Sequence, residues 1–220
     1  MLKFRLVLLS LSVLMIETTV NAQITEKKGG YLIFVKYKKG QVIKQEMVMH
    51  VANSKMKTES QFVTKCLGVD SNGISTLQVT VPASDKGKSI KKTVKVDRHG
   101  KPQGKSIDGF SSNFVWPETP VKIGEIWDGD MNLGGSSGQG SMSLRSTYKL
   151  VGIKTVSGVK VASISTVMKV TGTYDMSGTG TINVRFRDGQ IHNSVFNMSL
   201  NTGQSGSTKL QVVMTIRTLP

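Results

Sequence analysis

Lys65-Cys66-Leu67-Gly68-Val69-Asp70-Ser71-Asn72-Gly73-Ile74-Ser75-Thr76-Leu77-Gln78-Val79-Thr80-Val81 contains two strands and the turn that joins them. Asp70-Ser-Asn-Gly73 is a tight turn, because Asn-Gly tolerates the positive φ angles that short hairpins demand. Beyond it Leu77, Val79 and Val81 share one parity, which puts their side chains on one face of a pleated strand. The same period of two extends in both directions, and no window holds a helical spacing for three turns. The expected fold is all-β and antiparallel.

Moving towards the N-terminus, Met56 to Val69 reads as one long strand or two short ones. Val42 to Val51 carries Ile43, Met47, Met49 and Val51 on one parity. Tyr31 to Lys38 is rich in aromatic and β-branched residues and is followed by a turn at Lys39-Gly40, which predicts a hairpin with Val42 to Val51. Moving towards the C-terminus, Ile90 to Val96 ends at Asp97-Arg-His-Gly100. Met142, Leu144, Tyr148 and Leu150 share a parity, and Val156-Ser-Gly158 turns the chain into Val159 to Val170. Ile182, Val184 and Phe186 alternate with polar residues up to Asp188-Gly189. Ile191 to Leu200 returns, Asn201 to Ser207 links, and Leu210, Val212, Met214 and Ile216 make the last strand.

Between these two sets of strands lies Trp116-Pro-Glu-Thr-Pro-Val-Lys-Ile-Gly-Glu-Ile-Trp-Asp-Gly129, with both tryptophans and two of the five prolines. Pro117 and Pro120 fix φ and push their predecessors towards extended geometry, so the segment begins as a stiff, non-helical crossing. Val121, Ile123, Ile126 and the two indoles give it apolar surface to bury. The organisation read from this is a leader at 1–22 and a single domain at 23–220. That domain has two similar β-meander halves, 31–107 and 141–218, joined by a crossing at 110–130. The halves share wording: Lys65-Cys-Leu-Gly-Val leads to a turn at Gly73, and Lys149-Leu-Val-Gly-Ile leads to one at Gly158.

The words Pro117-x-x-Pro-Val-Lys-x-Gly-x-x-Trp127 resemble a set of exported bacterial β-proteins of unknown function. In these the segment runs close to Pro-x-x-Pro-Val-Lys-Val-Gly-Asp-x-Trp, and this chain departs from it at Ile123, Glu125 and Ile126. The resemblance implies a strongly curved antiparallel sheet, a half-barrel or open barrel or sandwich similar to lipoprotein carriers. It brings no catalytic residues.

The first 22 residues predict an export signal. Lys3 and Arg5 begin it, Leu6 to Ile16 is apolar, and Val20-Asn21-Ala22 offers small residues for cleavage after Ala22. The apolar run falls short of the roughly 20 residues that a membrane-spanning helix needs. No cysteine follows the cleavage point, so the expectation is a periplasmic or secreted soluble protein and not a lipoprotein. Cys66 is the only cysteine, so no internal disulfide forms, and its apolar setting marks it as a core residue. The formal charge is +15, which favours anionic partners.

Several catalytic and binding patterns fail on inspection. Gly134-Gly-Ser-Ser-Gly138 spells a hydrolase word, but Ser136 sits in a Gly/Ser linker with no helix after it. The Gly-Lys-Ser triplets at Gly87 and Gly104 lack the earlier glycine of a phosphate loop. Asp128, Asp130 and Asn132 start like a calcium loop, yet Leu133 stands where glycine is required. His50, His99 and His192 are scattered, so no metal site, cofactor or enzyme is expected.

Two binding sites remain as candidates. Trp116 and Trp127 could stack on a ligand, although beside prolines and isoleucines they are first of all core residues. Lys88, Lys91, Lys92, Lys95 and Arg98 could form a basic ridge for an anionic envelope polymer. Without interleaved aromatics that ridge does not read as a nucleic-acid site, and lysines also protect an edge strand. The main expectation is a non-enzymatic exported protein that holds a lipid or other apolar or amphipathic molecule, since methionines (eleven in the chain) line adaptable apolar sites. The alternative is an envelope protein docking anionic polymers.

Overall fold

A computed structural model describes residues 22–81, 89–103, 114–133, 142–171, 175–186, 191–201 and 209–219. The leader up to residue 21, Ser136 and its linker, Lys88, and the turns at Asp188-Gly189 and Asn201 to Ser207 fall wholly or mostly outside them. The described elements are all strands: β1 (Ala22–Lys27), β2 (Gly30–Val35), β3 (Val42–Val51), β4 (Lys57–Val69), β5 (Ser75–Val81), β6 (Ile90–Val96), β7 (Ile126–Leu133), β8 (Met142–Val156), β9 (Val159–Thr171), β10 (Asp175–Arg185), β11 (Ile191–Asn201) and β12 (Lys209–Thr218).

Ten of them form one antiparallel sheet in the order β6-β5-β4-β3-β12-β11-β10-β9-β8-β7, while β1 and β2 pair as a separate hairpin. The first meander runs outward from β3 and the second runs inward to β12, where the two join through pairs such as Met214↔Met49. The sequence order of the strands therefore puts β6 and β7, consecutive along the chain, at opposite edges.

Alternation places the core. In β3, Ile43, Gln45, Met47, Met49 and Val51 are buried while their neighbours are more open. The same face continues through Phe62 and Cys66 of β4, Leu77 and Val79 of β5, Leu144, Tyr148 and Leu150 of β8, and Phe196 and Met198 of β11. Met47, Met49, Met168, Met176, Met198 and Met214 are all buried there.

The predicted hairpin of Tyr31 to Lys38 with Val42 to Val51 does not form. Tyr31 pairs with Glu26 of β1, and β3 takes β4 and β12 as its neighbours. The turn at Lys39-Gly40, with Gly40 at φ 82°, docks on β4 instead: Gly40 N donates to Cys66 O at 2.9 Å and Cys66 N to Gln41 O at 2.9 Å. The same arrangement recurs before β7. Gly124, at φ 90°, donates to Leu150 O at 2.7 Å and Leu150 N donates to Glu125 O at 3.1 Å. Each unit ends in a β-bulge, between Cys66 and Gly68 in β4 and between Leu150 and Gly152 in β8. The shared wording thus marks a bulge at Gly68 and Gly152 and a turn at Gly73 and Gly158, and only the turn positions, both at φ 78°, favour glycine.

Three elements lie outside the strands expected from the sequence, the first being β1. The stretch Ser177-Gly-Thr-Gly-Thr181, with its two glycines, belongs to β10, because Phe196 occupies the space beside Gly180. A Cβ there would stand 2.2 Å from Phe196 Cδ1. The second half of the crossing, from Ile126, is β7 and pairs with β8.

Candidate functional site: the strap and its cleft

Residues 114–125 form a strap between the two edges of the sheet. Trp116 N donates to His99 O at 2.8 Å, just past the end of β6. One residue earlier, Val115 O accepts from the Trp127 indole N–H of β7 at 2.9 Å. Adjacent strap residues therefore touch both edges, which shows that the sheet curls into a half-barrel spanned by its own chain.

The strap is held by its aromatic side chains and by close backbone packing. Phe114 stacks on Trp116 with centroids 5.9 Å apart and on Phe196 at 6.4 Å, and meets Tyr148 at 6.0 Å. Phe114, Val115, Trp116 and Val121 are buried. Val115 lies over Gly129 of β7, where a Cβ would come within 2.9 Å of the valine Cβ. On its other side the strap carries the β1–β2 hairpin: Tyr31 N donates to Val121 O at 2.8 Å and Val121 N to Tyr31 O at 3.0 Å. Ile123 and Ile126, expected to be buried with the rest, are 55% and 61% exposed. They follow Val121, the last buried residue of the strap.

His99 latches the strap. Its backbone N and that of Lys101 donate to Asp97 Oδ1 at 2.8 Å and 2.9 Å, which shapes the turn after β6. Its buried ring sets Nδ1 3.1 Å from Pro117 O, and Nε2 accepts from Arg98 Nε at 3.1 Å. Donation from Arg98 to Nε2 leaves Nδ1 as the protonated nitrogen, the one able to donate to Pro117 O. The sequence reading passed over His99 because its partner in the strap, Pro117, is eighteen residues away. Its place in a tight Asp-x-His-Gly turn was the only local signal.

The two tryptophans are brought together. Trp116 is 2% exposed and packed in the core. Trp127 is half-buried, stacked on Tyr148 at 5.5 Å. Both line a cleft of about 300 Å³ between the strap and β7, together with Lys101, Val115, Pro117, Glu118, Thr119, Pro120, Val121, Glu125, Ile126 and Asp128. Glu118 accepts from the Lys101 ammonium at 2.6 Å, which holds its carboxyl below the usual carboxylate range. Asp128 Oδ1 accepts from Thr147 Oγ1 at 2.7 Å, and Glu125 Oε2 accepts from the Lys122 backbone N–H.

The basic ridge is divided by strand alternation. Lys91 and Lys95 are exposed on β6, whereas Lys92 pairs opposite Val79 on the parity of buried Val94 and Val96. Arg98 is exposed but engaged with His99, and Lys88 lies outside the described residues. Lys91, Lys92 and Lys95 thus do not share one surface.

Cys66 is 1% exposed, and burial pushes its thiol up from its ordinary pKa. Among the described residues no three His, Cys, Asp or Glu side chains are placed to hold a metal ion. No described helix is long and apolar enough to cross a membrane.

No protein-family model matches the chain, and no curated protein matches it. Two solved structures are similar to it. The hypothetical lipoprotein YmcC from Escherichia coli is 14% identical, with 78% of this chain and 85% of that one covered and a TM-score of 0.34. The LolA superfamily protein NE2245 from Nitrosomonas europaea is 10% identical, with 84% and 86% covered and a TM-score of 0.27.

Proposed function

We propose that this protein is a non-enzymatic, exported binding protein that takes an amphipathic molecule at the strap. The observation that carries the reading is the convergence of Trp116 and Trp127 on one cleft of about 300 Å³, at the lower end of the range for small-molecule sites. Its surface is mixed, with prolines, Ile126 and an indole beside carboxylates and one lysine. An apolar tail would lie against Trp127 and Ile126 and a polar head at the open rim. Behind the strap, the methionine-rich face offers side chains that repack at low cost if a tail reaches further in. The reading takes residues 23–220 as one domain and 1–22 as a cleaved leader.

A second reading, docking of an anionic polymer, draws support from Lys91 and Lys95, which are exposed without an ion-pair partner among the described residues. The position of Lys92 on the other face weakens it.

The test is native mass spectrometry of the purified protein with dodecyl maltoside, lysophosphatidylcholine and dodecyltrimethylammonium, followed by calorimetric titration. At least one should bind saturably at a single site, and Trp127→Ala should weaken it about tenfold, the effect of losing about 1.4 kcal/mol of contact. Failure of all three to bind refutes the reading.

A further inference from the structure

We infer that the strap cleft selects amphiphiles whose head group carries a cationic nitrogen, an inference that rests on the function proposed above. The chain as a whole is strongly basic, at +15. Its electrostatics alone would draw anions to it. The cleft reverses that sign. Three carboxylates line it, from Glu118, Glu125 and Asp128, against a single cation, Lys101, which is spent on Glu118 at 2.6 Å.

Each carboxylate is anchored through one oxygen only: Glu118 Oε1 by Lys101, Glu125 Oε2 by the Lys122 backbone, Asp128 Oδ1 by Thr147. Their second oxygens are without partners among the described residues. They remain able to accept N–H bonds or to face a quaternary ammonium. The anchoring bonds also hold the side chains in place, which lowers the entropy lost on binding.

The aromatic contribution has the same sign. The Trp127 ring lines the cleft beside Asp128, and an indole face attracts cations within about 6 Å of its centre. Its N–H is already committed to Val115 O, so the ring offers its π surface and not a donor. The buried indole N–H of Trp116, a second lining residue, has no acceptor among the described residues. It suits an ester or other neutral oxygen placed near the cationic nitrogen of the head group. A sulfate or carboxylate head would face three like charges with one occupied lysine to offset them.

The experiment compares three ligands with the same twelve-carbon tail by calorimetry: dodecyltrimethylammonium, dodecyl maltoside and dodecyl sulfate, each below its micelle concentration. Dodecyltrimethylammonium should bind about tenfold tighter than the maltoside, as two free carboxylates within reach of one charge suggest, and the sulfate weakest. Raising sodium chloride to about 0.5 M should remove most of that preference, because the rim is exposed and screened. The exposed double change Glu125→Gln and Asp128→Asn, checked for folding by circular dichroism, should remove it too. Equal or tighter binding of the maltoside or sulfate overturns the inference but leaves the binding function standing. Absence of binding by all three overturns the inference, and the function with it when lysophosphatidylcholine also fails to bind. A preference that survives both salt and the double change also overturns the inference.

Discussion

Replacing Gly30 by alanine tests whether the hairpin, strap and sheet form one stack. A Cβ at Gly30 would stand 2.5 Å from the Val121 carbonyl oxygen, 2.7 Å from its carbon and 3.1 Å from the Lys122 nitrogen. All three are backbone atoms, so no side chain can swing aside. Restoring an ordinary C···O contact needs about 0.8 Å of separation. That stretches the paired bonds between Tyr31 and Val121, now 2.8 Å and 3.0 Å, past useful length. Two lost bonds cost about 2 kcal/mol net, and crowding adds about 1 kcal/mol or more. The stiffer unfolded chain of the alanine variant would return about 0.4–1 kcal/mol, but the native φ of 155° strains an alanine and cancels part of that gain. The net expectation is a loss of about 2 kcal/mol, or roughly 4–8 °C in Tm for a chain of this size. Urea and thermal unfolding followed by far-ultraviolet circular dichroism would read it. Gly68→Ala is the control, since its Cβ would meet nothing within 4 Å, and it should change stability by less than about 0.5 kcal/mol. If Gly30→Ala unfolds with the wild type, or Gly68→Ala falls equally far, the argument from close approach is wrong.

Two further outcomes are expected. Gly180→Ala sets a Cβ 2.2 Å from Phe196 Cδ1 and should cost about 1–3 kcal/mol by overpacking; combining it with Phe196→Leu should cost less than the sum of the single changes, and strict additivity in urea unfolding would refute the clash. Cys66 should resist iodoacetamide in the native protein and react promptly in urea, because burial keeps its thiol protonated. The sign follows: with its folded pKa above the unfolded value of about 8.5, the unfolded thiol ionises first, so this group withdraws stability as pH rises past that value. Fast native alkylation near pH 8 would contradict the burial.

Much of the strand content was legible because it is written in a period of two. The hairpin at Asp70 to Gly73 and the inward face of β3 follow from the alternation of their own residues. The failures share a cause as well. Ser177 to Thr181 lies outside the expected strands because its glycines make room for a ring in the neighbouring strand, information that lies at Phe196. Tyr31 to Lys38 has the composition to pair with β3, but composition does not name a partner when many strands carry the same pattern. Of the candidate site, the two tryptophans were legible in the sequence and the carboxylates beside them were not. Both tryptophans line the cleft, and that Trp116 is buried while Trp127 is half-buried depends on where the strap leaves the sheet. The expected basic ridge is split by parity, since Lys91 and Lys92 are neighbours in sequence and for that reason point to opposite faces.

Local sequence by itself determined an antiparallel all-β chain, its main turns, a lone inert cysteine and a stiff proline-bearing crossing, because each of these depends on residues within a few positions of one another. Only the tertiary structure decided that β6 and β7 stand at opposite edges, that the crossing spans them as a strap latched by His99, and that acidic side chains gather beside Trp127 in a basic protein. Those outcomes depend on contacts between residues far apart in sequence. Such contacts are selected by the packing of the whole sheet, and the alternation of a single strand does not specify them.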